Sequence, residues 1–168
     1  MTAESETQTS GETAAGETVA AHAEPGPAPS PSRVLSRSQH WLSTAAPYLA
    51  ISLGGALGAN ARYLVGIWGV AQWGADFPYA TLLINVTGSF ILAFYLTLVT
   101  ERFTGRVTTR LFVTTGFCGA YTTLSTFSVE TLQLLATGQV GAALAYVAAS
   151  LVLGLLAVGL GIGAARAL

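Results

Sequence analysis

Four apolar stretches, over residues 48–68, 78–99, 111–135 and 140–165, fill most of the chain, and short polar connections join them. Each is long enough to cross a hydrocarbon core about 30 Å thick. In that solvent the backbone has to satisfy its own hydrogen bonds, so such stretches fold as helices. The connections near Trp73-Gly74-Ala75-Asp76, Arg102 to Arg110 and Thr137-Gly138-Gln139 are short, which makes successive helices antiparallel neighbours. The pattern predicts an all-α membrane protein of four transmembrane helices. Composition agrees, since 9% of residues are charged against about 25% in soluble domains.

Residues 1–44 have a different character. They are rich in Ala, Glu, Thr, Ser, Gly and Pro, carry the run Pro25-Gly26-Pro27-Ala28-Pro29-Ser30-Pro31, and hold five of the eight acids. Too little apolar surface is present to offset the entropy of ordering, so this segment reads as a disordered tail. It lacks the basic start and apolar run of a secretory signal. The remainder, residues 45–168, is the four-helix transmembrane domain.

Several functions are excluded by what is missing. A net charge of -1 without a clustered basic face predicts no nucleic-acid partner. His22 and His40 lie in the tail, so no nucleophile, base and orienting group can be assembled, and enzyme activity is not expected. The single Cys118, within an apolar stretch, reads as a small buried filler.

Arginine placement sets orientation. Arg33 and Arg37 precede the first span, Arg102, Arg106 and Arg110 lie between the second and third, and Arg166 ends the fourth, all on one side. The positive-inside rule makes that side cytoplasmic and puts both termini there. Arg62 lies inside the end of the first span and reads as a structural anchor. Trp41, Tyr48, Trp68, Trp73 and Tyr79 fall near span ends, where amphipathic rings favour the headgroup zone. Gly54 and Gly58, four apart, give the first span a small-residue face for close helix packing.

Polar groups at membrane depth are costly and mark a protein partner or a water-filled path. Asn85 sits in the middle of the second span, and its carboxamide suits either a pore lining or a clamp on a neighbouring helix. The third span carries Gly116-Phe117-Cys118-Gly119-Ala120-Tyr121-Thr122-Thr123-Leu124-Ser125-Thr126-Phe127-Ser128-Val129-Glu130, with two Gly and six hydroxyl side chains. Gly eases departure from helical geometry, and hydroxyls satisfy the backbone groups a break sets free. The spacing predicts a discontinuous helix, whose half-helix ends favour anions and whose freed carbonyls suit a small hard cation. The alternative is a continuous helix with hydroxyls bonded back to their i−4 carbonyls. Glu130, without a nearby His for a proton relay, reads as structural.

These motifs resemble the CrcB or Fluc fluoride channel family. Gly54-Gly55-Ala56-Leu57-Gly58-Ala59-Asn60-Ala61-Arg62-Tyr63 looks like the family's GGxxGAxxRY. Thr81-Leu82-Leu83-Ile84-Asn85-Val86-Thr87-Gly88-Ser89-Phe90 is similar to its TLxVNxxGSF. The third span resembles GFxGxxTTFSTFSxE, and Tyr146 to Ser150 with Gly154 resembles YxxxSxxxG. The resemblance covers about residues 47 to 163, with all four spans in order.

It implies an antiparallel, dual-topology dimer in the cell membrane, with two narrow fluoride pathways for passive efflux and a structural sodium ion at its centre. Gly119 and Thr122 match the positions whose backbone carbonyls hold sodium. Asn85 matches the pore Asn, Phe127 the second Phe of a pair, Ser125 and Thr126 a hydroxyl track, and Tyr146 and Ser150 the fourth-helix lining. The first Phe of the pair is Leu124 here. Together with the arginine asymmetry, this raises a heterodimer with an oppositely oriented homologous subunit beside the homodimer. Leu124 also keeps open a non-conducting or half-degenerate partner subunit. A small multidrug transporter needs a carboxylate in the first span, and none is present.

Overall fold

A computed structural model describes the backbone of residues 31–102 and 106–168, with side chains from Thr44 onward apart from 103–105. Residues 1–30 of the expected tail lie outside the described residues, and the chain is helical from Pro31. Every regular element among the described residues is helical. In chain order these are α1 (Pro31–Trp73), α2 (Tyr79–Glu101), α3 (Val107–Leu111), a π-helical segment (Phe112–Cys118), α4 (Gly119–Tyr121), α5 (Leu124–Ala136) and α6 (Val140–Ala167).

Two of these, α2 and α6, are long and apolar enough to cross a membrane by length and composition. Only 11% and 17% of their apolar windows are buried inside the protein, whereas the core helix of a soluble domain would be mostly covered. Leu53, Leu57, Leu64, Leu144, Leu155 and Leu160 are likewise exposed. Apolar surface on this scale belongs against lipid or another protein chain. α1 is longer but less apolar. The third apolar stretch is divided among α3, the π-helical segment, α4 and α5, and α5 has 13 residues, too few to span a membrane alone.

α1 packs against the π-helical segment through glycine, as the four-residue spacing predicts. A Cβ on Gly54 would overlap the Phe112 carbonyl oxygen, one on Gly58 would overlap that of Phe117, and one on Gly116 would come within 2.8 Å of the Ile51 carbonyl. The two backbones therefore touch directly, the arrangement that small residues permit where no hydrophobic force drives helices together. α2 and α6 lie along each other, and at one end Arg166 forks onto Glu101, with Nη2 donating to Oε1 at 2.7 Å and Nε to Oε2 at 3.2 Å.

The α5–α6 turn shows why the chain reverses there. The Gln139 N–H donates to the Leu134 carbonyl at 2.8 Å and that of Gly138 to Leu135 at 3.0 Å, while Gly138 takes φ +77°. This nested pair ends α5 in the way a glycine in the left-handed region allows. α6 then starts at once and runs back along α5.

Candidate functional site

Between α4 and α5, Thr122 (φ -78°, ψ 158°) and Thr123 (φ -150°, ψ 117°) are extended. In a continuous helix the Thr123 N–H would bond the Gly119 carbonyl. Here it donates to Asn85 Oδ1 at 2.9 Å, and Asn85 Nδ2 donates back to the Thr123 carbonyl at 3.1 Å. One carboxamide thus stands in for a missing stretch of backbone, which also fixes which of its atoms is oxygen. Asn85 clamps the neighbouring segment, one of the two roles its sequence position left open.

The same logic recurs one turn on. The Thr126 N–H donates to Thr123 Oγ1 at 3.2 Å rather than to the Thr122 carbonyl, so Thr123 is the N-cap of α5. Thr123 Oγ1 spends its own proton on Thr126 Oγ1 at 3.0 Å. The carbonyls of Gly119 and Thr122 thereby lose their helical donors, and Gly119 is exposed. Other hydroxyls of the segment do bond back: Thr122 Oγ1 to the Cys118 carbonyl at 3.0 Å and Ser128 Oγ to that of Leu124 at 2.9 Å.

Two cavities flank this region. The inner one, of about 320 Å³, is lined by Asn85, Ser89, Thr122, Thr123, Phe127 and Ser150, with Leu124 at its edge. No charged side chain lines it. Ser150 Oγ is buried and has no hydrogen-bond partner among the described residues, a condition that costs about 1–3 kcal/mol. The outer cavity, of about 350 Å³, is lined by Asp76, Phe77, Glu130, Gln133 and Gln139 among others.

Glu130 and Tyr146 stand between the cavities. Glu130 accepts from Thr81 Oγ1 at 2.8 Å and from Tyr146 Oη at 2.7 Å, which ties α5 to α2 and α6. Tyr146 is fully buried, and its ring packs on Phe127 (centroids 5.0 Å apart) and Phe77 (5.6 Å). Its hydroxyl proton is committed to Glu130. Of the residues singled out in the sequence, Asn85, Leu124, Phe127 and Ser150 share the inner cavity, and Tyr146 backs it. Ser125 and Thr126 are exposed outside it, as is Leu124 for 76% of its surface. Arg62 is half-buried and makes no hydrogen bond or ion pair to the described residues. Thr123, Thr81 and Ser89 were not singled out. A Thr preceding α5 is the one local signal, and it lacks the Glu or Gln three residues later that marks a capping box.

A family profile described as CrcB-like protein, Camphor Resistance (CrcB), matches residues 49–162. The chain belongs to the CrcB family. Curated relatives carry the name fluoride-specific ion channel FluC. The protein of Roseiflexus sp. is 48% identical over 120 residues, covering 71% of this chain and 97% of the relative. That of Acidobacterium capsulatum is 51% identical over 114 residues, covering 68% of this chain and 91% of the relative. That of Legionella pneumophila (strain Lens) is 50% identical over 93 residues, covering 55% of this chain and 69% of the relative.

Proposed function

We propose that this chain is a subunit of a fluoride channel that lets the ion leave the cell passively. The observation that carries the reading is the inner cavity of a CrcB-family chain, which no charged side chain lines and where one buried hydroxyl, Ser150 Oγ, has no partner among the described residues. Fluoride is compact and strongly hydrated, so a path for it replaces water with donors without holding the ion too tightly. The Ser150 hydroxyl and the Asn85 N–H that Thr123 does not use meet that requirement, and the Phe127 edge adds positive quadrupole density. A lining arginine would trap the anion.

A second copy completes the proposal. Hydroxyl-bearing Ser125, Thr126 and Ser128 are exposed on the protomer, and oil does not favour such a face. An antiparallel second subunit covers it. The freed carbonyls of Gly119 and Thr122 fit a sodium ion in chemistry, being uncharged oxygen ligands on unwound backbone. One chain offers two such carbonyls, and a two-fold partner doubles them. When bound, the ion supplies positive charge that holds the two breaks together. The arginine asymmetry favours a partner that is a distinct homologous subunit. Leu124 favours a further reading, in which this chain's own pathway is degenerate and the partner conducts.

Fluoride efflux from liposomes tests the proposal. The chain, alone or with its partner, is expected to discharge fluoride passively, and Ser150→Ala to slow it about tenfold, the effect of losing a donor worth about 1.4 kcal/mol. Leu124→Phe is expected to speed it. Absence of efflux from both preparations overturns conduction, and proton-coupled export of organic cations would assign a transporter instead.

A further inference from the structure

The end of the molecule where α2 finishes, α3 begins and α6 finishes carries Arg102, Arg106, Arg110 and Arg166 against one described acid, Glu101. Two of the arginines are occupied. Arg166 forks onto Glu101 at 2.7–3.2 Å, and Arg102 Nη2 donates to the Arg166 carbonyl at 2.9 Å, capping the end of α6. Arg106 and Arg110 are both exposed, and neither has a hydrogen bond or ion pair from its side chain to the described residues.

The Arg110 N–H donates to the Arg106 carbonyl at 3.1 Å, so the two residues sit one helical turn apart. Residues at this spacing share a face, and like charges there repel. The one nearby carboxylate is already consumed by Arg166, and the other acids of the channel region, Asp76 and Glu130, line the cavity between the α1–α2 connection and the α5–α6 turn. The repulsion between Arg106 and Arg110 is thus left for a ligand to relieve.

Depth decides what that ligand is. α2 has 23 residues, so it is about 35 Å long and reaches just past a hydrocarbon core of about 30 Å. Glu101 and its bridge to Arg166 therefore stand at the polar boundary, and Arg106 and Arg110 stand at the level of lipid phosphates. A guanidinium is the side chain best matched to a phosphate, which it binds bidentately.

We infer that Arg106 and Arg110 form a binding site for the headgroup phosphate of an anionic phospholipid in the leaflet facing the arginine-rich end. The inference rests only on the chain spanning a membrane and stands whether or not fluoride passes. The site anchors the start of α3 at the headgroup layer.

The full-length protein in nanodiscs of mixed phosphatidylcholine and phosphatidylglycerol, released for native mass spectrometry, tests this. Wild type is expected to retain phosphatidylglycerol in excess of its share of the bilayer. The double variant Arg106→Gln with Arg110→Gln is expected to lose that preference by about twenty-fivefold at low salt, about fivefold for each arginine. The double lysine variant keeps the charge and loses the fork, and it is expected to retain a reduced preference. Because lysine changes little else at an exposed position, it also carries the test if the glutamine variant does not fold. Equal retention of the two lipids by wild type overturns the site, as does an unchanged preference in the glutamine variant. Displacement of the lipid by millimolar inorganic phosphate would make it a site for a free anion, and the lipid assignment would fall. Fluoride efflux that fails while the lipid preference persists overturns conduction and leaves this site standing.

Discussion

Asn85 does with one side chain what a helix does with its ladder. Its oxygen takes the Thr123 N–H and its nitrogen serves the Thr123 carbonyl, so two main-chain groups that leave helical geometry are not left unpaired. Asn85→Ala strands both, at about 1–3 kcal/mol for each buried group, and is expected to lower the unfolding temperature in detergent and abolish efflux. Asn85→Asp keeps an acceptor for the N–H but offers no donor to the carbonyl, and places a negative charge on the inner cavity. A smaller loss of stability with an equal loss of efflux is therefore expected, and equal unfolding temperatures for the two variants would sink this account of the clamp. The importance of Asn85 was legible because an amide in mid-span has few innocent explanations. Its partner was not, since residues 85 and 123 are brought together only by the packing of α2 on the third crossing. Glu130 is similar: a structural role was readable, but its ties to Thr81 and Tyr146, 49 and 16 positions away, depend on how three helices meet.

At the scale of elements, α5 starts where it does because Thr123 caps it. The Thr123 hydroxyl accepts from the Thr126 N–H at 3.2 Å, and a Thr→Ala change at an N-cap costs about 1 kcal/mol. Thr123→Ala is expected to show that loss in chemical unfolding and to blunt efflux by disturbing the lining that follows, whereas Thr123→Ser, which keeps the hydroxyl, is expected to restore both. If Ser rescues neither, the methyl group rather than the cap is what matters. The run of glycines and hydroxyls across the third apolar stretch was readable as a place where helical geometry is dispensable. Which residues leave it was not, because the choice of Thr122 and Thr123 depends on Asn85 being level with them. The π-helical turn at Phe112–Cys118 was also hidden from the sequence, for it accommodates the backbone contact that Gly54, Gly58 and Gly116 create between α1 and this segment. The four-residue spacing of Gly54 and Gly58 marks the face on α1, but which segment fills it is a property of two helices together.

For the whole molecule, the question is which way it faces. Described arginines at the α2–α3 and α6 ends outnumber Glu101 there by three, while the α1–α2 and α5–α6 connections offer Asp76 and no arginine. Positively charged connections are retained on the cytoplasmic side during insertion, so this imbalance is expected to fix one orientation, and a two-pathway dimer then requires a partner inserted the other way. Thiol labelling tests this directly. The native Cys118 is 2% exposed and should stay silent to an impermeant maleimide, leaving added cysteines as the only reporters. Gln139→Cys, in the α5–α6 connection, is expected to label from outside intact cells, and Leu168→Cys only after the membrane is opened. Replacing Arg102, Arg106 and Arg110 by Gln removes three of the six arginines on that side and is expected to make both positions label partially from outside. Partial labelling of both sites in the unaltered chain would show that it inserts in both directions, and would return the homodimer to first place, because a chain that already faces both ways has no need of a second gene product to pair with.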